Sequence, residues 1–201
     1  QHNFPTDNEE FFPAIDYPLF KADCPVQRIN HHYAHALSCF PVNNKIPDVE
    51  VVIDGFGEIN NAWTVFKDNK VFERGYEKEH GSPGVEMFLA GKWLNIEYKK
   101  GSEYDIAGKL MGLQAYGNHI EEFAKLLPQS ILRTNDIFDK EKWFRFVGNE
   151  LVGTLKPLDW IRTVHNHMGD VLVKFFERIT DNDYNSIITY SGGVAQNVIW
   201  N

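Results

Sequence analysis

Three of the chain's eight histidines fall within five residues, in the run Asn30-His31-His32-Tyr33-Ala34-His35. Asparagine is a strong helix N-cap, so Asn30 predicts that His31 stands in the first turn of a helix. His31 and His35 are then i,i+4 neighbours, close enough to share a metal ion. The positive end of the helix dipole favours the neutral imidazole, which is the form that ligates. His32 and His35 offer a second pairing at i,i+3, and spacing leaves the choice within the trio open. The same run also reads as a solvated helix end with one buried, hydrogen-bonded histidine.

Three other stretches carry residue types suited to chemistry. In VVIDGFGE, residues 51–58, an apolar strand ends in Asp54, a hard oxygen ligand, and Gly55 and Gly57 bracket the turn. Glycine at such a strand end lets backbone approach phosphate, although an Asp-Gly hairpin turn has the same letters. In SGGVAQN, residues 191–197, Gly192 and Gly193 lie between a strand and an expected helix start, and such a pair can present backbone N–H groups and the positive dipole end to an anion. In DIAGKLMGLQAYG, residues 105–117, Asp105 and Lys109 are i,i+4. They read as a surface ion pair, or as part of a helix closing over a nucleoside with Gly112 permitting approach. There is no G-x-S-x-G elbow and no H-E-x-x-H, which argues against an α/β-hydrolase and a zincin.

The elements that must hold these residues follow from periodicity. A short strand is expected at 26–29, then a helix from His31 to about Phe40, stopped by Pro41. Residues 49–55 read as a central strand, and AWTVF, KDNK and VFERGYEK as a hairpin, giving three consecutive strands to Lys78. A turn at GSPG leads into an apolar helix, and Ile106, Leu110 and Leu113 mark one face of another. Residues 118–156 carry no clear pattern. LDWIRTVHNHMGDVLVKFFERI predicts a long amphipathic helix, SIITY a buried strand, and SGGVAQNVIWN a turn and a helix start. The order implies an α/β domain with a mixed sheet.

Composition limits the function classes. Over 201 residues, 43% are apolar and 24% charged, which suits one domain with a substantial core. Net charge is −8 without a Lys/Arg stripe, which disfavours nucleic-acid binding by this chain alone. No apolar run reaches the ~20 residues that span a bilayer, so no membrane association is expected. Two cysteines, Cys24 and Cys39, are too few for a disulfide framework or zinc knuckle, and the expected compartment is the cytoplasm. Residues 1–25 read as a loop-rich opening segment and 26–201 as the core of one partial domain. Both ends read as cut from something longer.

INHHYAHALSCF, VVIDGFGE, GKLMGLQAYG and SGGVAQNVIWN, in this order, resemble the O-carbamoyltransferases, the group that includes nodulation-factor and antibiotic carbamoylating enzymes. The four motifs run from Ile29 to Asn201. The resemblance implies an actin-like, sugar-kinase-like ATPase fold of two ribonuclease-H-like lobes, with this chain holding mostly the second lobe. It implies a divalent metal, Fe2+ first with Mn2+ or Mg2+ as alternatives, held by His31, His35 and Asp54. A further family aspartate would lie downstream of SGGVA, beyond Asn201. Gly55, Gly57, Gly192, Gly193 and Asn197 would line the ATP site, with Asp105, Lys109 and Gly112 as further contacts. Gln114 stands where the family usually has alanine, and Ala107 where glutamate is common.

The implied reaction has two steps. Carbamoyl phosphate and ATP give a carbamoyl-adenylate in a domain outside this chain, and a small-molecule hydroxyl then attacks the carbamoyl carbon at the metal site. His32, the histidine left over, is the candidate general base. The isolated fragment is expected not to turn over without the remaining domains. Two other readings compete. One is the related ATPase that transfers threonylcarbamoyl to tRNA, which the acidic balance fits less well. The other is a nucleotide-binding module without chemistry, which has no need of imidazole ligands.

Overall fold

β1 (Val49–Ile53) is buried at all five positions, as expected of a strand covered on both faces. It is the second strand from one edge of a four-stranded sheet of order β3-β2-β1-β4. In this computed structural model the described residues are 29–39, 46–55, 61–76, 81–85, 87, 91, 105–125, 127 and 156–201. β2 (Asn61–Lys67) runs antiparallel to β1, with Val52 opposite Thr64 and Ile53 opposite Trp63. β3 (Lys70–Tyr76) continues the antiparallel meander. Asp68 and Asn69 join the two at φ of 52° and 58°, the left-handed pair that a two-residue type I′ hairpin needs. β4 (Ile188–Ser191) returns to β1 in parallel, with Val52 opposite Ser191. The expected mixed sheet and α/β class are therefore present.

Alternation along β1 divides the core. Val51 and Ile53 belong to the large apolar cluster on one face, and Val52 packs with Phe66, Tyr33 and Ala36 on the other. The large cluster is built on the long helix α4 (Pro157–Ile179), which has Pro157 in its first turn, where a missing N–H costs nothing. Its buried stripe of Trp160, Ile161, Val164, Met168, Val171, Leu172, Phe175 and Ile179 follows the helical period read from the sequence. Each such side chain contributes roughly 1.5–3 kcal/mol by leaving water. Phe175 meets Trp63 edge-on at 5.1 Å, and Gly75 on β3 leaves the room: a Cβ there would stand 2.0 Å from the Trp63 indole. Arg178 makes a two-pronged ion pair with Glu73 at 2.8 and 2.9 Å, fastening the end of α4 to β3.

Two smaller helices complete the frame. α2 (Asp105–Leu113) buries Ile106 and Leu110 and passes into a 3-10 turn at Gln114–Tyr116. α3 (Glu121–Ala124) anchors Phe123 in the same cluster. On the opposite face of the sheet lies α1 (His31–Ser38), whose N-cap Asn30 accepts a hydrogen bond from Tyr33 N at 3.1 Å. Residues 83–85, 87 and 91 are helical, in the span where a helix was expected after GSPG. The strand expected at 26–29 lies outside the described residues except for Ile29.

One expectation is corrected. After β4 the chain does not start a helix: Gly193–Gln196 is a single 3-10 turn and Asn197 is extended at φ −78°, ψ 93°. The reason is tertiary. The Asn197 amide binds His165 Nε2 at 2.9 Å, and Trp200 stacks on the His165 ring at 4.6 Å while donating to its carbonyl at 3.0 Å. These side chains reach α4 only if the chain leaves helical geometry.

Candidate metal centre

β1 delivers Asp54 to the end of the sheet, where its backbone N–H still bonds to Ala62 O across the strand pair at 2.8 Å. The two carboxylate oxygens of Asp54 have separate tasks. Oδ1 accepts the Gly55 N–H at 2.8 Å. Oδ2 faces α1, where His31 Nε2 stands 2.9 Å away and His35 Nε2 3.1 Å away. The two imidazoles, i and i+4 on the helix, meet edge to face with centroids 4.7 Å apart. One donor atom from each of His31, His35 and Asp54 lies within 4.8 Å of the other two. The histidines are the outer wall, at 45% and 34% side-chain exposure, and Asp54 the floor at 18%.

This donor set fits a divalent cation. Ligands bound at ~2.1 Å and at right angles stand ~3.0 Å apart, which is the separation of each Nε2 from Oδ2. Two imidazoles and one carboxylate are the donor types of the open two-histidine, one-carboxylate metal sites. Burial alone would raise the Asp54 carboxyl. The hydrogen bonds from His31 and Gly55 and the charges of His31 and His35 outweigh it and hold the group below the usual carboxylate value.

Two backbone segments close around Asp54. Gly192 has φ +95°, and a Cβ there would lie 2.3 Å from Ile53 O. A Cβ on Gly193 would lie 2.7 Å from Asp54 Oδ1. Only glycine lets the turn after β4 sit this closely on the end of β1. On the other side, the buried Ser82 hydroxyl donates to Asp54 O at 2.8 Å and accepts from Val85 N at 3.4 Å. Ser82 was not singled out from the sequence. The local signal, a serine ahead of Pro and Gly at a helix start, marks a cap but gives no hint of a partner 28 residues away.

The remaining sequence candidates divide. His32 is fully buried beneath α1, at 0% exposure, with its ring centroid 5.9 Å from that of His31 but turned to the sheet rather than to Asp54 Oδ2. Its Nδ1 lies 2.9 Å from Thr64 Oγ1 and 3.1 Å from Asn61 Nδ2, and Asn61 in turn donates to Thr64 at 2.8 Å. Its Nε2 has no hydrogen-bond partner among the described residues. Burial pushes the ring's pKa down to about 4, so it is neutral at pH 7. A ring with no exposed surface has no path to a substrate hydroxyl, which removes the physical basis for a general base here. Gly55, Gly192 and Gly193 are at the centre, whereas Gly57 lies outside the described residues. Asn197 is near through the same turn, but its amide is committed to His165 and to Ile199 N, at 3.2 Å.

Asp105, Lys109 and Gly112 occupy the exposed side of α2, and a Cβ on Gly112 would meet nothing within 4 Å. Gln114 is buried and accepts from Arg162 on α4. No helix among the described residues is long and apolar enough to cross a membrane. No protein-family model matches the chain.

Proposed function

We propose that this chain is the metal-bearing part of an O-carbamoyltransferase. In this reading the carbamoyl group of a carbamoyl-adenylate, made from carbamoyl phosphate and ATP by the remaining domains, passes to a hydroxyl of a sugar-like or antibiotic-like small molecule. The observation that carries it is the convergence of His31 Nε2 and His35 Nε2 on the single oxygen Oδ2 of Asp54, at 2.9 and 3.1 Å. The strand order supports the same reading. Three antiparallel neighbours followed by a parallel return to the first is the core order of a ribonuclease-H-like lobe in an actin-like ATPase fold.

A divalent cation, Fe2+ first, would supply Lewis-acid polarisation of the carbamoyl carbonyl. His31 and His35 contribute neutral imidazole nitrogens and Asp54 an ionised carboxylate. Gly192 and Gly193 bring backbone close to that carboxylate, and in this reading their N–H groups would receive phosphate oxygens of the adenylate. Asn197 fixes the turn through His165. The −8 net charge is consistent with a small neutral acceptor and no nucleic acid.

The test has two readouts. Protein purified with Fe2+ or Mn2+ is expected to hold about one equivalent, and His31→Ala, His35→Ala and Asp54→Asn are expected to lose it. Their loss of affinity should exceed the ~10–100-fold that outer partners of a metal site cost. With the remaining domains present, ATP-dependent transfer of labelled carbamoyl phosphate to a hydroxyl acceptor should fall in parallel. Equal metal content in wild type and His31→Ala overturns the metal assignment. Full metal occupancy without ATP-dependent carbamoyl transfer overturns the transferase.

A further inference from the structure

α1 carries two of the three donor residues, yet eight residues are too few to hold a helix by propensity. Tertiary contact must place it. Tyr33 and Ala36 press on Val52 and Phe66, with the Tyr33 and Phe66 rings 5.8 Å apart. Apolar contact is non-directional and specifies the depth and roll of the helix less sharply than a buried hydrogen bond does. His32 differs, because its Nδ1 enters a polar slot formed by Thr64 and Asn61, and all three side chains are at least 97% buried.

The slot and the carboxylate belong to one rigid piece. Thr64 stands opposite Val52, and Ala62, between the two slot residues, receives the Asp54 N–H. Strand pairing therefore fixes the distance from slot to Asp54. His32 follows His31 by one residue and precedes His35 by three, so a ring pinned in the slot fixes the turn from which both outer rings depart.

We infer that His32 is a positioning residue of the metal centre: by closing on Thr64 and Asn61 of β2 it sets the depth and roll of α1, and so the placement of His31 and His35 over Asp54. The inference rests on the metal reading given above. It assigns His32 no proton transfer and no contact with substrate.

Cobalt(II) serves as the probe, read by its visible d–d spectrum and by titration of affinity, neither of which requires turnover. His32→Asn keeps an amide near the Nδ1 position, able to meet Thr64 and Asn61. His32→Leu fills the space without hydrogen bonds. The expected result is wild-type affinity and spectrum for His32→Asn, and a loss of about 10–100-fold with a changed spectrum for His32→Leu. Thr64→Val, which leaves every histidine in place, should reproduce that loss and covers the case in which His32→Leu fails to fold. His32→Leu and Thr64→Val binding as wild type would overturn the inference while leaving the metal reading intact, as would failure of His32→Asn to restore binding. A wild-type protein that takes up no cobalt overturns both.

Discussion

Asp54 works under opposing demands. Its Oδ1 is tied to the Gly55 N–H, its backbone carbonyl to Ser82, and only Oδ2 is left for the histidines. On the proposed metal reading, one free oxygen would mean single-point ligation, which would make the site sensitive to small shifts of that side chain. Gly193→Ala tests this without touching a ligand. The new Cβ would stand 2.7 Å from Oδ1, so the carboxylate must move. Metal affinity is expected to drop by about 10-fold. The thermal midpoint should stay near wild type, because Gly193 is exposed and its φ is not in the left-handed region. Isothermal titration beside a melting curve separates the two effects. The i,i+4 spacing of His31 and His35 and the strand-end place of Asp54 were legible because a capped helix and a strand end are local features, but spacing left the choice within the trio open and only the resemblance joined the three as one ligand set. The inward turn of His32 was not, because the residues that hold it, Asn61 and Thr64, come from a strand some thirty positions on.

At the level of elements, α1 depends on its cap. Asn30 satisfies the Tyr33 N–H, one of the four unpaired donors at the helix start. Asn30→Ala is expected to cost about 1 kcal/mol of stability, measured by urea unfolding, and to weaken metal binding as the first turn frays around His31. The hairpin β2–β3 was legible from alternation and from an Asp-Asn turn whose two residues adopt φ > 0 readily. The long helix was legible from its apolar stripe. The segment after β4 was not, since a glycine turn followed by VAQNVIWN is compatible with a helix start until Asn197 and Trp200 engage His165. Local propensity lost there to three contacts made with an element more than thirty residues earlier.

Over the whole molecule, buried imidazoles set the response to acid. His165 is fully buried on α4, and burial pushes its pKa down from 6.5 to about 4 despite the Asn197 hydrogen bond. Between those values the unfolded chain takes up a proton that the folded chain refuses. Stability contributed by this group is therefore complete above pH 6.5 and falls as pH drops toward 4, by about 3 kcal/mol in all. His32 bends the curve the same way. Glu50, whose carboxyl burial raises, acts oppositely, since its folded form gains a proton earlier than the unfolded one on acidification. Calorimetric midpoints are expected to fall steadily from pH 6.5 to 4.5, and His165→Gln should flatten that slope. A midpoint independent of pH across this window would contradict the burial of both rings. Fold class and sheet type were legible at this scale, because three strands, a long helix and a returning strand admit few arrangements.

The parallel return of β4 also sets an order of assembly on the ribosome. Asp48 and Ile187, which hydrogen-bond at the start of the β1–β4 pairing, are 139 positions apart. The meander of β1, β2 and β3 can form while the nascent chain is short, carrying Asp54 at an uncovered strand end. Gly192 and Gly193 emerge only after α4 has been synthesised, so they close on Asp54 later than the meander that carries it can form. On the proposed metal reading, a cation captured during translation would meet the imidazoles and the carboxylate before the glycine turn closes beside them.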